Sequence, residues 1–312
     1  MLEGKRIVIT GGAGFIGSNI ARMLCSDNSV SIIDNLSTGK LENLSDIKES
    51  IDFISGDITE VEALMKAFRS ADYVLHLAAL PSVQRSIDDP ITANLHNVDG
   101  TLKVLVAAMD CGVKRVIFSS SSAVYGDGPE QPKIETLIPM PMSPYAVTKV
   151  AGEYYCRVFN DIYGLETVSL RYFNVFGPGQ DTSSQYAAVI PKFIQSISHG
   201  RPLTIYGDGE QSRDFVYVAD VAAANALACT AEKAAGRVIN IASGKRTTVN
   251  ELADILGKIL SKDVNPLHVD PQPGEIKHSS ADISAARELL GYEPGYDVMS
   301  GLKDMIERSK LL

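Results

Sequence analysis

The segment RIVITGGAGFIGSNIARMLC, residues 6 to 25, places glycines at 11, 12, 14 and 17 between a short β-branched run and an amphipathic one. No other stretch constrains the fold as strongly. Gly11, Gly14 and Gly17 permit a tight strand-to-helix turn, and Gly12, Gly14 and Gly17 also fit the G-x-G-x-x-G spacing. Free amides at the start of such a helix form a seat for a pyrophosphate, and glycine lets the ligand approach the backbone closely. Glycines alone also make ordinary turns, but here strand, glycines, helix and second strand follow in order.

That second strand, SVSIID, ends at Asp34, twenty residues beyond Gly14. An acid there accepts hydrogen bonds from an adenosine ribose and repels a 2′-phosphate, which favours NAD over NADP. Asp34 followed by Asn35 also suits a turn, and the two roles are compatible. Lys40 and nearby hydroxyls weaken the preference slightly.

Up to about residue 172 the runs RIVIT, SVSIID, IDFISG, YVLHLAA, RVIFSS and ETVSLRYF read as strands, with helical patterns between them. This alternation predicts an α/β fold, a doubly wound parallel (Rossmann) sheet. The longest helical reading covers residues 88–112, with Gly112 as its stop. After residue 172 the rhythm changes, through NVFGPGQ, a helix near 188–199, LTIYG and RDFVYV. We therefore expect a cofactor domain over 1–172 and a smaller C-terminal substrate lobe over 173–312, with segments near 214–242 returning to the first sheet.

The 312 residues are 45% hydrophobic and 21% charged, and no apolar run approaches the 18 or so residues of a membrane span. A soluble protein is expected. The first apolar run is too short for a signal-peptide core. Cys25, Cys111, Cys156 and Cys229 lie far apart without paired spacing, which suggests reduced thiols and a cytoplasmic setting. A net charge of -9 argues against nonspecific nucleic-acid binding, so any bound phosphate belongs to a small ligand.

The chemistry points to SPYAVTK, where Tyr145 and Lys149 stand four residues apart and thus on one helix face. A phenol titrates near 10, and bringing it to about 7 takes about 4 kcal/mol. One positive charge about 4 Å away supplies roughly that at an effective dielectric of 20. Beside a bound dinucleotide, the pair makes sense as an activated general base. Surface helices often carry this spacing, so context matters: FSSSSAVYG ends a strand with four serines at the sheet edge where open α/β folds bind ligands.

Taken together, TGGAGFIGS, DNLSTG, GDI, LHLAA, FSSSSAVYG, SPYAVTK, LRYFNVFGPGQ, YGDGEQSRDFVYVADV and HSSADI resemble the extended short-chain dehydrogenase/reductase family, and within it the nucleotide-sugar 4-epimerases. The resemblance implies that Tyr145 is the base, that Lys149 lowers its pKa and grips the nicotinamide ribose, and that Ser121 and Ser122 orient the sugar hydroxyl. It places Phe15, Ile16, Asp34, Asn35, Ser37, Thr38, Gly39, Asp57, Ile58, Leu77, Ala78, Ala79, Asn97 and Phe173 against tightly bound NAD. Asn174, Val189, Tyr206 and Arg213 would hold a UDP-sugar, Arg213 on its diphosphate. The implied reaction takes a UDP-hexose through a 4-keto sugar that rotates before reduction on its other face.

Ser122 and Ala123 stand where the similar 4,6-dehydratases carry an acidic pair, which disfavours dehydration. The absence of glutamate at position 123 argues, less strongly, against UDP-glucuronate decarboxylation, and UDP-glucuronate 4-epimerisation stays open. By the same resemblance Ser279 leaves room for an N-acetylated sugar, with Ser82 and Ala188 near the acetamido group. The substrate is then UDP-N-acetylglucosamine/UDP-N-acetylgalactosamine, UDP-glucose/UDP-galactose, or both. Where the family commonly has RPGD this chain has QPGE, with Gln272 and Glu275; Gln272 cannot supply the usual positive charge to the diphosphate, which leaves Arg213, with Lys277 or Arg246, to compensate. The five histidines show no metal-ligand spacing and read as structural or surface residues. Kinship implies a homodimer through helices near 88–111 and 143–162. A dinucleotide-binding regulator without turnover is the non-enzyme alternative, and it would need only the glycine loop and Asp34.

Overall fold

The computed structural model describes residues 2–180, 189–271 and 277–309. The amino-terminal part runs β1 (Arg6–Thr10), α1 (Phe15–Leu24), β2 (Ser29–Asp34), β3 (Ile51–Ser55), α2 (Val61–Ala67) and β4 (Tyr73–His76). It continues through α3 (Val83–Asp88), α4 (Pro90–Asn94), α5 (Gly100–Asp110), β5 (Arg115–Ser121), α6 (Pro144–Tyr163) and β6 (Glu166–Tyr172). The remainder comprises β7 (Asn174–Phe176), α7 (Val189–Ser198), β8 (Leu203–Tyr206), β9 (Ser212–Arg213), β10 (Phe215–Tyr217) and α8 (Val218–Thr230). It ends with β11 (Arg237–Ile241), β12 (Thr247–Thr248), α9 (Val249–Leu260), β13 (Pro266–Val269), β14 (His278–Ser279), α10 (Ser284–Leu290) and α11 (Val298–Ser309).

Seven parallel strands form the central sheet in the order β11-β6-β5-β4-β1-β2-β3. The order reverses direction at β1, between β2 and β4, the switch point where α/β sheets leave a crevice at their carboxyl ends. Strand β1 shows why the sheet is covered on both sides. Ile7 and Ile9 pack into one apolar cluster with Ile20 of α1 and Val221 of α8, whereas Val8 packs into another with Phe68, Val104 and Phe159. A near-continuous apolar strand is what burial on both faces requires. A third cluster, with Ile190, Phe193, Leu252, Leu302 and Met305, forms the core of the second part.

The helical reading over 88–112 is realised as α4 and α5 joined by a π-helical turn, Leu95–Asp99. Gly112 ends it at φ +67°. Helix α6 begins with Ser143, whose side chain accepts from the Ala146 amide, and with Pro144 in the first turn; Gly164 closes it at φ +73°. These caps fix where the first turn of α6 begins, and so where Tyr145 and Lys149 sit.

Candidate active site

A cavity of about 540 Å³ runs along the carboxyl ends of β1, β2, β4 and β5. That volume suits a cofactor-sized ligand. At one end, Gly11 adopts φ +71°, and a Cβ there would lie 2.7 Å from the Ala78 amide nitrogen. A Cβ on Gly17 would stand 2.4 Å from the Gly11 carbonyl oxygen. Both positions thus require glycine, one for conformation and contact, the other for contact alone. Gly14 is the N-cap of α1 and supplies no side-chain cap, which leaves the first amides of the helix for a ligand anion.

Asp34 lies at the end of β2 and is 8% exposed. Its Oδ2 accepts from the Ala13 amide at 3.0 Å and its Oδ1 from the Leu36 amide at 2.8 Å. Each oxygen keeps lone-pair capacity, so the carboxylate is fixed yet able to accept from a ribose. The wall also carries Gly11, Gly14, Phe15, Ile16, Gly17, Asn35, Ser37, Thr38, Ile58, Leu77, Ala78, Ala79 and Phe173 from the sequence-expected set. On the criterion of an oriented acid beside an uncapped helix start, these residues fit NAD.

Three expected residues stand behind this wall. Gly39 packs where a Cβ would meet Asp34 Oδ2 at 2.9 Å, and Asp57 accepts from Asn35 Nδ2 at 2.6 Å. Burial pushes the Asp57 carboxyl up, but hydrogen bonds from Thr59 and Asn35 outweigh it and hold the group below its ordinary value. Asn97 is buried: its Oδ1 accepts from the Leu80 amide at 2.7 Å, and its Nδ2 donates to the Leu80 carbonyl and to Thr148 Oγ1. Its role in this structure is to hold Leu80, which does line the cavity. The π-helical turn makes this possible by tucking Asn97 inward while His96 faces the cavity. Such turns are frequent at functional sites.

At the other end of the cavity, Tyr145 and Lys149 of α6 meet Ser121 of β5. The Tyr145 amide, one of the helix's unpaired first donors, donates to Ser86 Oγ at 3.0 Å. Burial pushes the phenol above its ordinary value, while a hydrogen bond with Ser121 pulls it down. Lys149 is 3% exposed, and its Nζ donates to the Ser119 carbonyl at 2.6 Å, 5.0 Å from the Phe118 ring centre and 5.7 Å from that of Tyr145. Burial lowers the Lys149 ammonium to about 8, opposed by Cys156 and Glu153. Its own burial therefore limits how much charge the lysine offers the phenol. His76 lies beneath, between Thr10 Oγ1 at 2.8 Å and Thr101 Oγ1 at 2.9 Å, and burial, reinforced by the Lys149 charge, lowers it to about 3. It is a neutral structural residue.

The expected sugar-side residues come from several elements. Arg213 on β9 and Ser279 on β14 are register partners, and Thr247 of β12 pairs with Arg213 from the other side. Arg213 Nη1 donates to the Ser212 carbonyl at 3.0 Å and to the Lys277 carbonyl at 3.4 Å. Asn174 on β7 donates both its amide and its Nδ2 to the Asp214 carbonyl. Tyr206 ends β8 and is 43% exposed; Val189 begins α7 and is half-buried. Ser82 caps α3 by accepting from the Arg85 amide, and Ser122 opens the short turn after β5. None of Ser82, Ser122, Asn174, Val189, Tyr206, Arg213 and Ser279 lines the 540 Å³ cavity. Arg246 lines a separate cleft with Lys245 and Arg287. Ala188, Gln272 and Glu275 lie outside the described residues.

Sequence reasoning missed Arg85, Thr92, His96, Ser119, Ser120 and Tyr172, which also line the cavity. It also assigned no role to Asp214. That buried carboxylate accepts from the Ser243 amide and hydroxyl, the Gly244 amide and the Ala281 amide, and so ties β9 to the loops flanking β11 and β14. Asp214 lies inside the motif YGDGEQSRDFVYVADV, where an acid beside Arg213 is the available signal.

A doubly wound sheet with a dinucleotide cavity that ends at a tyrosine, a lysine and a serine defines a nicotinamide-dependent enzyme class. The chain belongs to the NAD dependent epimerase/dehydratase family, which matches residues 7–242. A putative UDP-glucose 4-epimerase of Methanocaldococcus jannaschii is 38% identical over 97% of this chain and 98% of its own length. The solved structure of a UDP-N-acetylglucosamine 4-epimerase from Methanobrevibacter ruminantium, in complex with UDP-N-acetylmuramic acid, is 46% identical with a TM-score of 0.94, covering 98% of both chains. A UDP-glucose 4-epimerase from Thermotoga maritima, solved with UDP-glucose, is 39% identical with a TM-score of 0.92, over 98% of this chain and 100% of that one. Among the described residues, no helix is long and apolar enough to cross a membrane.

Proposed function

We propose that this protein interconverts the 4-epimers of a UDP-hexose with NAD as a retained cofactor, and that Tyr145, Lys149 and Ser121 carry the chemistry. The supporting observation is the single cavity that joins the glycine turn and Asp34 to Tyr145, Lys149 and Ser121. A regulator would need the first end only. Held by the glycine turn and Asp34, NAD would supply the hydride acceptor and donor for carbon 4 of the sugar.

The protein's share is proton transfer and restraint. Tyr145 accepts the proton of the 4-hydroxyl and gives it back after the keto sugar turns, with Ser121 holding the oxygen. Because burial raises the phenol, its activation needs positive charge from Lys149 and from the oxidised cofactor together. Arg213, Asn174, Val189 and Tyr206 hold the nucleotide diphosphate end, leaving the hexose free to rotate. Residues 1–172 act as the cofactor domain, with α8 and β11 completing its layers, and most of 173–312 as the substrate lobe.

The UDP-sugars of its relatives support a UDP-sugar here, and the small half-buried Ser279 beside Arg213 favours an N-acetylated one. We further propose a homodimer, because Ile91, Leu95, Tyr154, Val158 and Ile162 expose an apolar face along α4 and α6 and the turn after α4. Four free cysteines suit a cytoplasmic location.

The direct experiment incubates the purified protein with UDP-N-acetylglucosamine, UDP-glucose and UDP-glucuronate separately, without added cofactor, and resolves 4-epimers by proton NMR. Conversion of the acetylated sugar is expected. Conversion of UDP-glucose alone would refute the Ser279 argument, and no conversion of any sugar, with NAD supplied, would refute the epimerase reading.

A further inference from the structure

Helix α6 carries a third polar residue in line with the reacting pair: Tyr145, Lys149 and Glu153 recur every four residues and occupy one side of the helix. Glu153 is 6% exposed, a costly place for a carboxylate. Arg171 of β6 donates to it twice, from Nε at 2.8 Å and from Nη2 at 2.7 Å. Ser120 Oγ donates to Glu153 Oε1 at 2.5 Å.

The partners are ordered along the strands. Three successive residues of β5 meet three successive turns of α6: Ser121 faces Tyr145, the Ser119 carbonyl takes Lys149, and Ser120 takes Glu153. Ser120, Arg171 and Asn240 are register partners across β5, β6 and β11. Arg171 lies 4.7 Å from the Tyr125 ring centre, and the Tyr125 hydroxyl donates to Asn240 Oδ1 at 2.7 Å. One polar row therefore crosses three strands and ends on the helix that carries the reacting residues.

We propose that Glu153 is a positioning residue for the reaction: clamped by Arg171 and Ser120 one helical turn beyond Lys149, it holds the serine run of β5 against Tyr145 and Lys149 and keeps a negative charge on the lysine's side of α6. This rests on the epimerase reading above. Replacing a buried ion pair with neutral residues is often harmless to stability, so folding alone does not demand this one. The titratable or charged groups around Lys149 are Tyr145, Glu153 and Cys156 on its own helix, His76 on β4, and Arg171 and Tyr172 on β6. Strand β5 brings Phe118 and the serines, and Arg85 and His96 reach the same cavity from α3 and the π-helical turn. Of these, Glu153 and Cys156 are the groups that favour the charged lysine, and Cys156 is itself pushed up to about 12 by burial and stays a neutral thiol.

The test compares the NAD-loaded wild type with Glu153→Gln, Glu153→Asp and the double variant Glu153→Gln/Arg171→Gln, which leaves no lone buried charge. We expect kcat at least about tenfold lower with KM little changed in Glu153→Gln and the double variant, and in Glu153→Gln an alkaline limb of kcat moved towards neutral pH by about one unit. Glu153→Asp keeps the charge, so its limb moves less. Independently of turnover, the Lys149 signal of 13C-lysine-labelled protein, assigned with Lys149→Arg, titrates at lower pH in Glu153→Gln, and less so in the double variant, which also removes the positive charge of Arg171. Should Glu153→Gln keep the wild-type limb and Lys149 titration, the proposal is overturned. Tyr145→Phe run in parallel separates the two readings: wild-type activity in that variant removes the epimerase mechanism itself, whereas its inactivity beside an unshifted Glu153→Gln removes only the role of Glu153.

Discussion

Gly17→Ala tests whether the strand-to-helix turn is set by atomic contact. The added methyl would lie 2.4 Å from the Gly11 carbonyl oxygen and 2.8 Å from Gly12 Cα. Ordinary contact begins near 3.4 Å, so roughly 1 Å must be recovered. Neither partner is a side chain that can swing away. Gly11 cannot retreat either, because Ala78 and Leu77 backbone atoms stand behind it. The movement must fall on the start of α1, whose amides form the anion seat. Overpacking of this kind costs about 1–3 kcal/mol, and if it falls on the bound state NAD affinity drops roughly 10- to 100-fold. Gly164→Ala is the matched control: it forces a side chain to φ +73° with nothing within 4 Å, far from the cavity. It should destabilise the fold by about 1 kcal/mol, read as a lower melting temperature, and leave NAD binding alone. Calorimetric titration of NAD-stripped protein, with thermal unfolding alongside, reads both. If Gly17→Ala binds NAD within threefold of wild type, the contact argument is wrong.

Tyr145→Phe should reduce turnover by about 10²- to 10⁴-fold, the usual worth of a positioned base, while the NAD released by acid from the purified protein stays at the wild-type amount; loss of NAD would show a binding role instead. Asp34→Ala should narrow the preference for NAD over NADP by at least about tenfold, measured by titrating both cofactors, and an unchanged ratio would remove Asp34 from recognition. Asp72 is held below the ordinary carboxylate range by the Arg6 amide and the Lys114 ammonium, against partial burial. Its folded-state pKa is depressed, so its stabilisation is present above the unfolded value near 3.9 and is lost as pH falls through the folded one. Asp72→Asn should therefore lower the urea midpoint at pH 7 and converge with wild type under acid, whereas a constant difference at all pH values would contradict the linkage. Ile91→Asp with Ile162→Asp should shift the sedimentation coefficient to that of a monomer if the exposed face of α4 and α6 is an interface.

The fold class was legible because its signals are local. Residues 6–34 contain a strand buried on both faces, a turn that admits only glycine at 11 and 17, and a helix start, all within one βαβ unit. That Tyr145 and Lys149 share one face follows from a period of four on one helix, whereas the Ser119 carbonyl that takes Lys149 is known only from the folded structure. The rest depends on distances that sequence spacing does not encode. Asn97 belongs to a turn of π-helix that shifts the residues around it, and 3.6-residue periodicity cannot say whether it faces Leu80 or the cavity. Asp214 acts through Ser243, Gly244 and Ala281, which are 29, 30 and 67 residues away. Glu153 shows the same limit most sharply. Its place after Tyr145 and Lys149 is visible in the sequence, but its meaning comes from Arg171 and Ser120, which reach it from two strands whose register only the folded sheet fixes. A motif marks residues that share one element. The groups that tune them are brought in by the sheet, and finding them requires its geometry.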